Sequence, residues 1–418
     1  MSKSKFKKDT IWLTLAQLVL ASSGILINII IGNRYGSASL GVFNQTIAIF
    51  FLICSIMSFG LNNSTIKKIS EDSSDVKRNK LIISSNLIIT SIISLIVCMI
   101  GYFTVQNVDN IFSSPDIVLG VKNIFISIPI YNFNKILMSS LSGLRKQKEF
   151  SIARVIRWGS LIFLISYYSL FYGSMDNIYF SFLVSEMILL IYLYSNLKHF
   201  ICVLFSYNLI YENLKFGGMT YISEIISYSK DKLDVIIVGY FLTSYQMGIF
   251  TFSYSFASGI LIFSRVFMQN FNPIISNLWS NKNYDSLKKE IKLLKHKVRF
   301  IQFGAFILIC FGFNIILPLM VSIPINDNVL VFNVMLLGFY IFSTISWLGS
   351  FLVMTGNLTV NILRVTLGLL FSVIVISILS YCYGINGAAI AVLVSNIFNF
   401  ILIKIFTESV FRKTKNEQ

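Results

Sequence analysis

The run IWLTLAQLVLASSGILINIII at residues 11–31 contains no charged side chain and decides the class of this protein. A helix needs about 20 apolar residues to cross the hydrocarbon core of a bilayer, and this run is long enough. Four lysines precede it and Ala21-Ser22-Ser23 lies near its end, which is also typical of a secretory signal. Because the apolar run is too long for a cleaved signal, we predict a retained first transmembrane helix.

The composition of the whole chain extends this conclusion. Apolar residues make up 55%, charged residues 12%, and the mean hydropathy is +0.75, whereas soluble domains carry about 25% charged residues. The net charge of +16 is spread over short loops between apolar runs, so no nucleic-acid partner is expected. The five cysteines lie far apart and only two histidines exist, so neither a metal site nor another cofactor is expected.

Twelve segments are long and apolar enough to span a membrane, so the sequence predicts an all-α membrane protein with about 12 transmembrane helices. The first six are Thr10–Ile31, Leu40–Leu61, Leu81–Phe103, Ile117–Leu141, Ser151–Tyr172 and Ile178–Tyr194. The second six are Phe216–Gly239, Tyr245–Gln269, Phe300–Val321, Val329–Thr355, Val360–Tyr383 and Asn386–Phe406.

The lysines and arginines predict the orientation of these spans. Of 34 such residues, 27 lie in the termini and in alternate loops, and the opposite loops contain Arg34 alone. Since cytoplasmic loops are enriched in lysine and arginine, both termini are predicted to be cytoplasmic. One of these basic loops, Asp285–Arg299, has a helical apolar face containing Leu287 and Val298. It is expected either to lie on the anionic inner leaflet or to be a solvated helical loop.

The two halves of the sequence repeat at an offset of 207 residues. Ile29–Gly32 realigns with Ile236–Gly239, and LGVF at 40–43 realigns with MGIF at 247–250. Each half contains six predicted spans, an even number, so the halves share one orientation and form a parallel repeat. This arrangement predicts a six-helix lobe at 1–196, a cytoplasmic linker at 197–213 and a second six-helix lobe at 214–418.

Both copies of the repeat place a short turn between two helices. Gly41 and Gly248 follow these turns, and their lack of a Cβ allows another backbone to approach closely. In the first copy the turn reads NRYGSASLGVF, residues 33–43. In the second it reads KLDVIIVGYFL, residues 232–242, with Gly248-Ile249-Phe250 after it.

These residues resemble the signatures of the polysaccharide-exporter flippases, the Wzx-type O-antigen transporters of the multidrug/oligosaccharidyl-lipid/polysaccharide (MOP) superfamily. The resemblance covers nearly the whole chain, although Thr243 stands where glycine is common. It implies two six-helix lobes in a MATE-like V that opens alternately to the two sides of the membrane.

The resemblance also implies a function in transport rather than in catalysis. The expected activity is to flip polyprenyl-diphosphate-linked oligosaccharide across the bacterial cytoplasmic membrane during O-antigen, lipopolysaccharide or capsule synthesis. The expected partners are this lipid-linked oligosaccharide, membrane lipids, a polysaccharide polymerase and a chain-length protein. Coupling to protons or sodium ions is left open.

Charged residues inside the predicted spans are the candidates for the site, because a charge at mid-bilayer costs about 2.5–3.5 kcal/mol and usually faces a cavity or a partner. A diphosphate is anionic and sugars need hydrogen-bonding groups. The predicted substrate-binding residues are therefore Lys122, Asn132, Lys135, Arg157, Lys230 and Arg265. The predicted ion-coupling residues are the acids Glu186, Glu224, Asp231 and Asp234.

Several of these residues have a second interpretation. Lys122 lies near the end of its span and could extend outward to the membrane interface. Asp231 and Asp234 could pair locally with Lys230 and Lys232. Glu186 and Glu224 have no obvious cation nearby in the sequence. Pro129 is expected to kink the fourth span.

Two other functions remain open. A drug or cation antiporter of the same superfamily would need a predominantly acidic cavity, whereas the predicted spans contain six basic and four acidic residues. A membrane-embedded polysaccharide polymerase or glycosyltransferase would need catalytic residues in large loops, and the predicted loops are short. The sequence contains no GxxxxGK[ST] phosphate loop, so ATP is not expected to drive transport directly.

Overall fold

The structure, a computed structural model, describes residues 3–72, 74–104, 114–202, 232–316 and 329–416, with isolated positions between 211 and 225. Within these ranges every regular element is a helix, which confirms the prediction of an all-α membrane protein. The helices of the first half are α1 (Lys3–Met57), α2 (Leu61–Glu71), α3 (Val76–Thr104), α4 (Pro115–Phe125), α5 (Ile128–Gly143), α6 (Gln147–Phe171) and α7 (Met175–Leu197).

The second half begins with helical residues 232–241, which follow residues outside the described ranges. The helices after them are α8 (Ser244–Ser258), α9 (Leu261–Ser280), α10 (Tyr284–Phe311), α11 (Val329–Ser346), α12 (Phe351–Met354) and α13 (Leu358–Asn416). A π-helical turn, Gly312–Ile316, extends α10.

The length and hydropathy of these helices account for most of the predicted spans. Among the residues that the structure describes, eight helical segments are long and apolar enough to cross a membrane, or nine if the bent pair α4 and α5 is one span. Two of them, in α1 and α13, divide at Gly36 and Gly384 and are long enough for two crossings each. The described residues thus contain eleven of the twelve predicted spans. The seventh, at 216–239, lies largely outside them.

The two copies of the repeated turn interrupt the helix by different means. Gly36 has φ +81° and ψ 176°, a conformation that only glycine adopts readily. Thr243, which lies 207 residues later, has φ −66°. Its hydroxyl accepts a hydrogen bond from the backbone N–H of Gln246, and its own backbone N–H donates to the Gln246 side chain. This capping box starts α8 without glycine.

Gly41 and Gly248 allow the close backbone approach that the sequence predicts. A Cβ at Gly41 would overlap the carbonyl oxygen of Ser244 and lie 2.7 Å from the amide nitrogen of Gly248. A Cβ at Gly248 would overlap the carbonyl group of Ser37. Because the neighbouring atoms belong to the backbone, they cannot move aside as a flexible side chain would, so both positions require glycine.

The fourth predicted span bends at Pro129, as expected. Helix α4 ends at Phe125, α5 begins at Ile128, and their axes differ by 53°. Proline, which lacks a backbone N–H, is tolerated in the first turn of α5 because an N–H at that position would have no acceptor within the helix. The bend separates Lys122 on α4 from Lys135 on α5.

The chain forms two compact units that divide at Lys232, with Tyr35–Gly41 grouped with the second unit. The predicted lobe boundaries and the linker at 197–213 stay predictions, since residues 203–210 are not described. In the first unit α2, α3, α5 and α7 pack around a core that includes Leu61, Ile82, Leu137 and Leu189. Lys68 on α2 also forms a 2.6 Å ion pair with Glu212.

The second unit has its own core, which includes part of the segment Asp285–Arg299. This segment is the first half of α10, and its apolar residues Leu287 and Val298 are fully buried. They pack against residues of α9, α12 and α13. Protein therefore covers the Leu287 and Val298 part of the apolar face, whereas Ile291 and Leu294 on the same face are half-buried.

Candidate functional site

An ion pair between Arg157 on α6 and Glu186 on α7 lies inside the membrane-spanning part of the first unit. The guanidinium Nε lies 2.7 Å from Glu186 Oε1, and Nη2 donates a 2.9 Å hydrogen bond to Oε2. The two side chains are only 12% and 4% exposed. Contact through two nitrogens and two oxygens fixes the orientation of the guanidinium as well as its distance.

Asn134 connects α5 to this pair. Its Nδ2 donates a 2.8 Å hydrogen bond to the backbone carbonyl of Glu186 and another of 2.8 Å to carboxylate Oε2. The carboxylate thus accepts hydrogen bonds from α5 and from α6. A buried carboxylate requires such partners to stay ionised.

Lys135 lies next to Asn134 in sequence and is half-buried on α5. Lys135, Arg157 and Glu186 each lie near enough to the buried Cys54 on α1 for their charges to act on its thiol. The Arg157 guanidinium also lies 4.4 Å from the ring centroid of Tyr131, a cation–π contact. We call Asn134, Lys135, Arg157 and Glu186 the α5–α7 charge cluster. With two cations and one carboxylate, its formal charge is +1.

The structure therefore brings together three predicted site residues, Lys135, Arg157 and Glu186. Glu186 has no cation nearby in the sequence, but Arg157, 29 residues earlier, pairs with it across the α6–α7 interface. Asn132 lies close by on α5 but is only 1% exposed. Its Nδ2 donates a 3.1 Å hydrogen bond to Ser94 Oγ, which joins α5 to α3.

The other candidates lie elsewhere. Lys122 on α4 is half-buried and lies 4.9 Å from the ring centroid of Tyr102. Arg265 on α9 has an exposed side chain. Asp234 is 4% exposed and accepts a 3.0 Å hydrogen bond from Ser372 Oγ. Glu224, Lys230 and Asp231 lie outside the described residues, so the polar face predicted for the seventh span stays a prediction.

Asn134 of the cluster and Tyr131, which contacts the cluster through Arg157, were missed by the sequence analysis. Both lie within one turn of Lys135 in the same apolar segment. An amide next to a lysine in a predicted span was a usable signal, because a buried amide also needs hydrogen-bond partners. Tyr131 gave no such signal, since aromatic residues are common throughout this chain.

Solved structures share this fold over nearly the full length of the chain. An inward-facing multidrug resistance MATE family transporter of the MOP superfamily is 13% identical, with a TM-score of 0.77 and coverage of 98% of both chains. The lipid II flippase MurJ, in an inward closed conformation, is 16% identical, with a TM-score of 0.76 and coverage of 95% of this chain and 87% of that one.

A third similar structure is a MOP superfamily transporter from Pyrococcus furiosus, whose binding pocket is described as having reverse polarity. It is 12% identical, with a TM-score of 0.68 and coverage of 98% of this chain and 96% of that one. At such low identities these likenesses establish the fold, and they agree with the superfamily resemblance found in the sequence.

The sequence has no significant match among curated proteins. A family model described as "Polysaccharide biosynthesis protein" matches residues 6–279. This match covers more than half of the chain, including both repeated turns and the whole α5–α7 charge cluster. The chain therefore belongs to the polysaccharide biosynthesis protein family and has the fold of the MOP superfamily.

Proposed function

We propose that this protein flips polyprenyl-diphosphate-linked oligosaccharide units from the inner to the outer face of a bacterial cytoplasmic membrane. It would act by alternating access, with both termini in the cytoplasm, and supply units for O-antigen or capsule synthesis. The observation that carries the proposal is the polysaccharide biosynthesis family match over residues 6–279. The fold is also similar to that of a lipid II flippase, whose name describes the transfer of a lipid-linked substrate. This similarity supports the proposal.

The α5–α7 charge cluster supports an anionic substrate. Charge interactions are stronger in a membrane-embedded region than in water, so a cluster with a formal charge of +1 attracts a phosphate there. Glu186, which accepts a hydrogen bond from Asn134, orients Arg157, whereas Lys135 extends the cluster by a second cation on α5. In the proposed mechanism these cations compensate part of the diphosphate charge during transfer.

Deletion of the gene tests the substrate class. The expected result is loss of one surface polysaccharide, with lipid-linked repeat units accumulating on the cytoplasmic side. The wild-type gene on a plasmid should restore export. Normal polysaccharide in a deletion strain that has no second flippase would refute the proposed function.

Complementation with charge variants tests the cluster. Lys135→Gln should lose most export while Lys135→Arg keeps part of it, because charge matters more than shape for binding a diphosphate. Lys122→Gln tests separately whether the lysine on the other side of the bend, also a predicted substrate-binding residue, contributes to export. Lys230→Gln and Arg265→Gln extend the test to the second half of the chain. Membrane abundance must be measured in parallel, and normal export by Lys135→Gln, Lys230→Gln and Arg265→Gln at normal abundance would remove the cationic site.

A further inference from the structure

A half-open cavity of about 260 Å³ lies in the second unit, between α10, the end of α11 and the last turns of α13. Four lysines line it, and Glu408 is the only acid in its lining. The lysines are Lys288, Lys292 and Lys295 of α10 and Lys404 of α13. The formal charge of the lining is therefore +3. This cavity is separate from the α5–α7 charge cluster, which belongs to the first unit.

The helix geometry of α10 concentrates these charges. Lys288, Lys292 and Lys295 are spaced by four and three residues, so they project from the same face of the helix. None of the four lining lysines forms an ion pair with an acid in the part of the chain that the structure describes. Like charges at this spacing repel one another, so an anion bound among them would relieve the repulsion.

Apolar side chains and two threonines, Thr344 and Thr407, form the rest of the wall. Trp347 is 1% exposed and Leu348 is 7% exposed, and both line the cavity. Lys288 Nζ lies 5.4 Å from the ring centroid of Phe411, another lining residue. The cavity thus combines cations with an apolar wall. This combination suits a molecule that carries both a phosphate and hydrocarbon better than it suits a small hydrophilic anion.

The position of the cavity along α10 indicates which kind of molecule carries this phosphate and hydrocarbon. Phe300, five residues beyond Lys295, is 80% exposed, and Leu308, two turns further on, is 72% exposed. At a rise of 1.5 Å per residue, Phe300 lies about 7.5 Å along the helix axis from Lys295. Such exposed apolar residues in a predicted span contact lipid chains. The lysine cavity therefore lies at the level of the lipid headgroups, on the face that the distribution of basic residues predicts to be cytoplasmic.

We infer that this cavity binds the phosphate headgroup of an anionic phospholipid of the adjacent leaflet, with the acyl chains lying along the apolar surface of α10. The four lysines hold the phosphate, and the wall containing Trp347 and Phe411 contacts the glycerol and the first methylenes. This inference does not depend on which substrate the protein transports.

Titration of the purified full-length protein in neutral detergent with fluorescent phosphatidylglycerol tests the inference. The cavity variant is Lys292→Gln/Lys295→Gln/Lys404→Gln. The matched control is Lys282→Gln/Lys289→Gln/Lys297→Gln, which removes the same charge from on or beside α10 but changes no lining residue. A basic residue near an anionic surface strengthens binding about fivefold, so the cavity variant should bind on the order of 100-fold more weakly. The control should bind like the wild type.

Parallel titrations distinguish the sources of the phosphate. Phosphatidylcholine should bind much more weakly than phosphatidylglycerol, and inorganic phosphate at millimolar concentration should not displace the lipid. Equal affinities for the cavity variant and the control would overturn the inference, and so would tight binding of phosphatidylcholine or displacement by inorganic phosphate. If the triple variant does not fold, Lys292→Gln/Lys404→Gln replaces only exposed lysines and should still weaken binding at least tenfold. No change in that double variant would equally overturn the inference.

Discussion

Replacing Glu186 by leucine would leave the Arg157 guanidinium buried in the membrane without its carboxylate. The Glu186 side chain is 4% exposed and that of Arg157 12%, so water cannot replace the lost partner. Breaking a buried ion pair from one side costs about 3–5 kcal/mol, and an unpaired charge in a span costs about 2.5–3.5 kcal/mol on insertion scales. We therefore expect Glu186→Leu to lower the free energy of unfolding by about 3 kcal/mol, a change of more than 100-fold in the unfolding equilibrium constant.

A double variant and a control variant test whether this loss of about 3 kcal/mol comes from the Arg157–Glu186 pair. Arg157→Met/Glu186→Leu removes both charges and should recover most of the loss, because an apolar pair of similar volume is often as stable as a buried ion pair. The control is the exposed pair of Arg78 and Glu71, joined at 2.9 Å with side chains 35% and 47% exposed. Glu71→Leu should cost less than about 1 kcal/mol.

Equilibrium unfolding in mixed micelles, followed by tryptophan fluorescence, measures all of these variants. If Glu186→Leu is no more destabilising than Glu71→Leu, or if the double variant is as unstable as the single one, the assignment of a buried, energetically coupled pair is refuted. Export by the double variant then separates structure from function. A stable but inactive double variant would assign the Arg157–Glu186 pair a role in transport in addition to its role in packing.

Three further predictions concern the turns and the topology. Gly248→Ala should destabilise the protein by about 1–3 kcal/mol because the added methyl group overlaps the Ser37 carbonyl. Gly304→Ala should not destabilise it, because no atom lies within 4 Å of the added carbon. Thermal midpoints in detergent compare the two variants, and equal midpoints would contradict the close approach. Thr243→Ala should lower the free energy of unfolding by about 1 kcal/mol through loss of the α8 cap, while Thr243→Ser keeps the hydroxyl and the cap. Hydrogen exchange at the start of α8 should become faster in the alanine variant alone, and unchanged exchange would count against the cap. A cysteine at Asp176 should react with an impermeant maleimide added outside intact cells and one at Lys80 should not, and the reverse pattern would invalidate the predicted orientation.

Much of the fold could be predicted because the relevant physics is local. Hydropathy over about 20 residues located the spans, and Pro129 marked a bend that follows from the backbone of that residue alone. The pairing of Arg157 with Glu186 could not be predicted in the same way. The two residues are 29 positions apart, and their contact depends on the relative rotation of two helices, which no local pattern specifies.

The first half of α10 shows a second limit. Its periodicity correctly indicated an apolar face, but periodicity does not identify what covers such a face. Membrane, solvent and protein were all compatible with Leu287 and Val298, and the structure shows that protein covers them. The candidate site was therefore predictable as a set of membrane-embedded charges, whereas the grouping of Lys135, Arg157 and Glu186 required the packing of α5, α6 and α7.

The Arg157–Glu186 pair also has a consequence for how the chain enters the membrane during synthesis. Helix α6 has the lowest mean hydropathy, 1.3, of the span candidates in the described residues, and on its own it would carry an unpaired arginine into lipid. Helix α7 follows after a turn of only three residues, 172–174, and supplies the neutralising carboxylate. We expect the two helices to leave the translocon together as a hairpin. In a glycosylation-mapping assay α6 alone should insert poorly and the α6–α7 hairpin well, and efficient insertion of α6 alone would show that biogenesis does not need the pair.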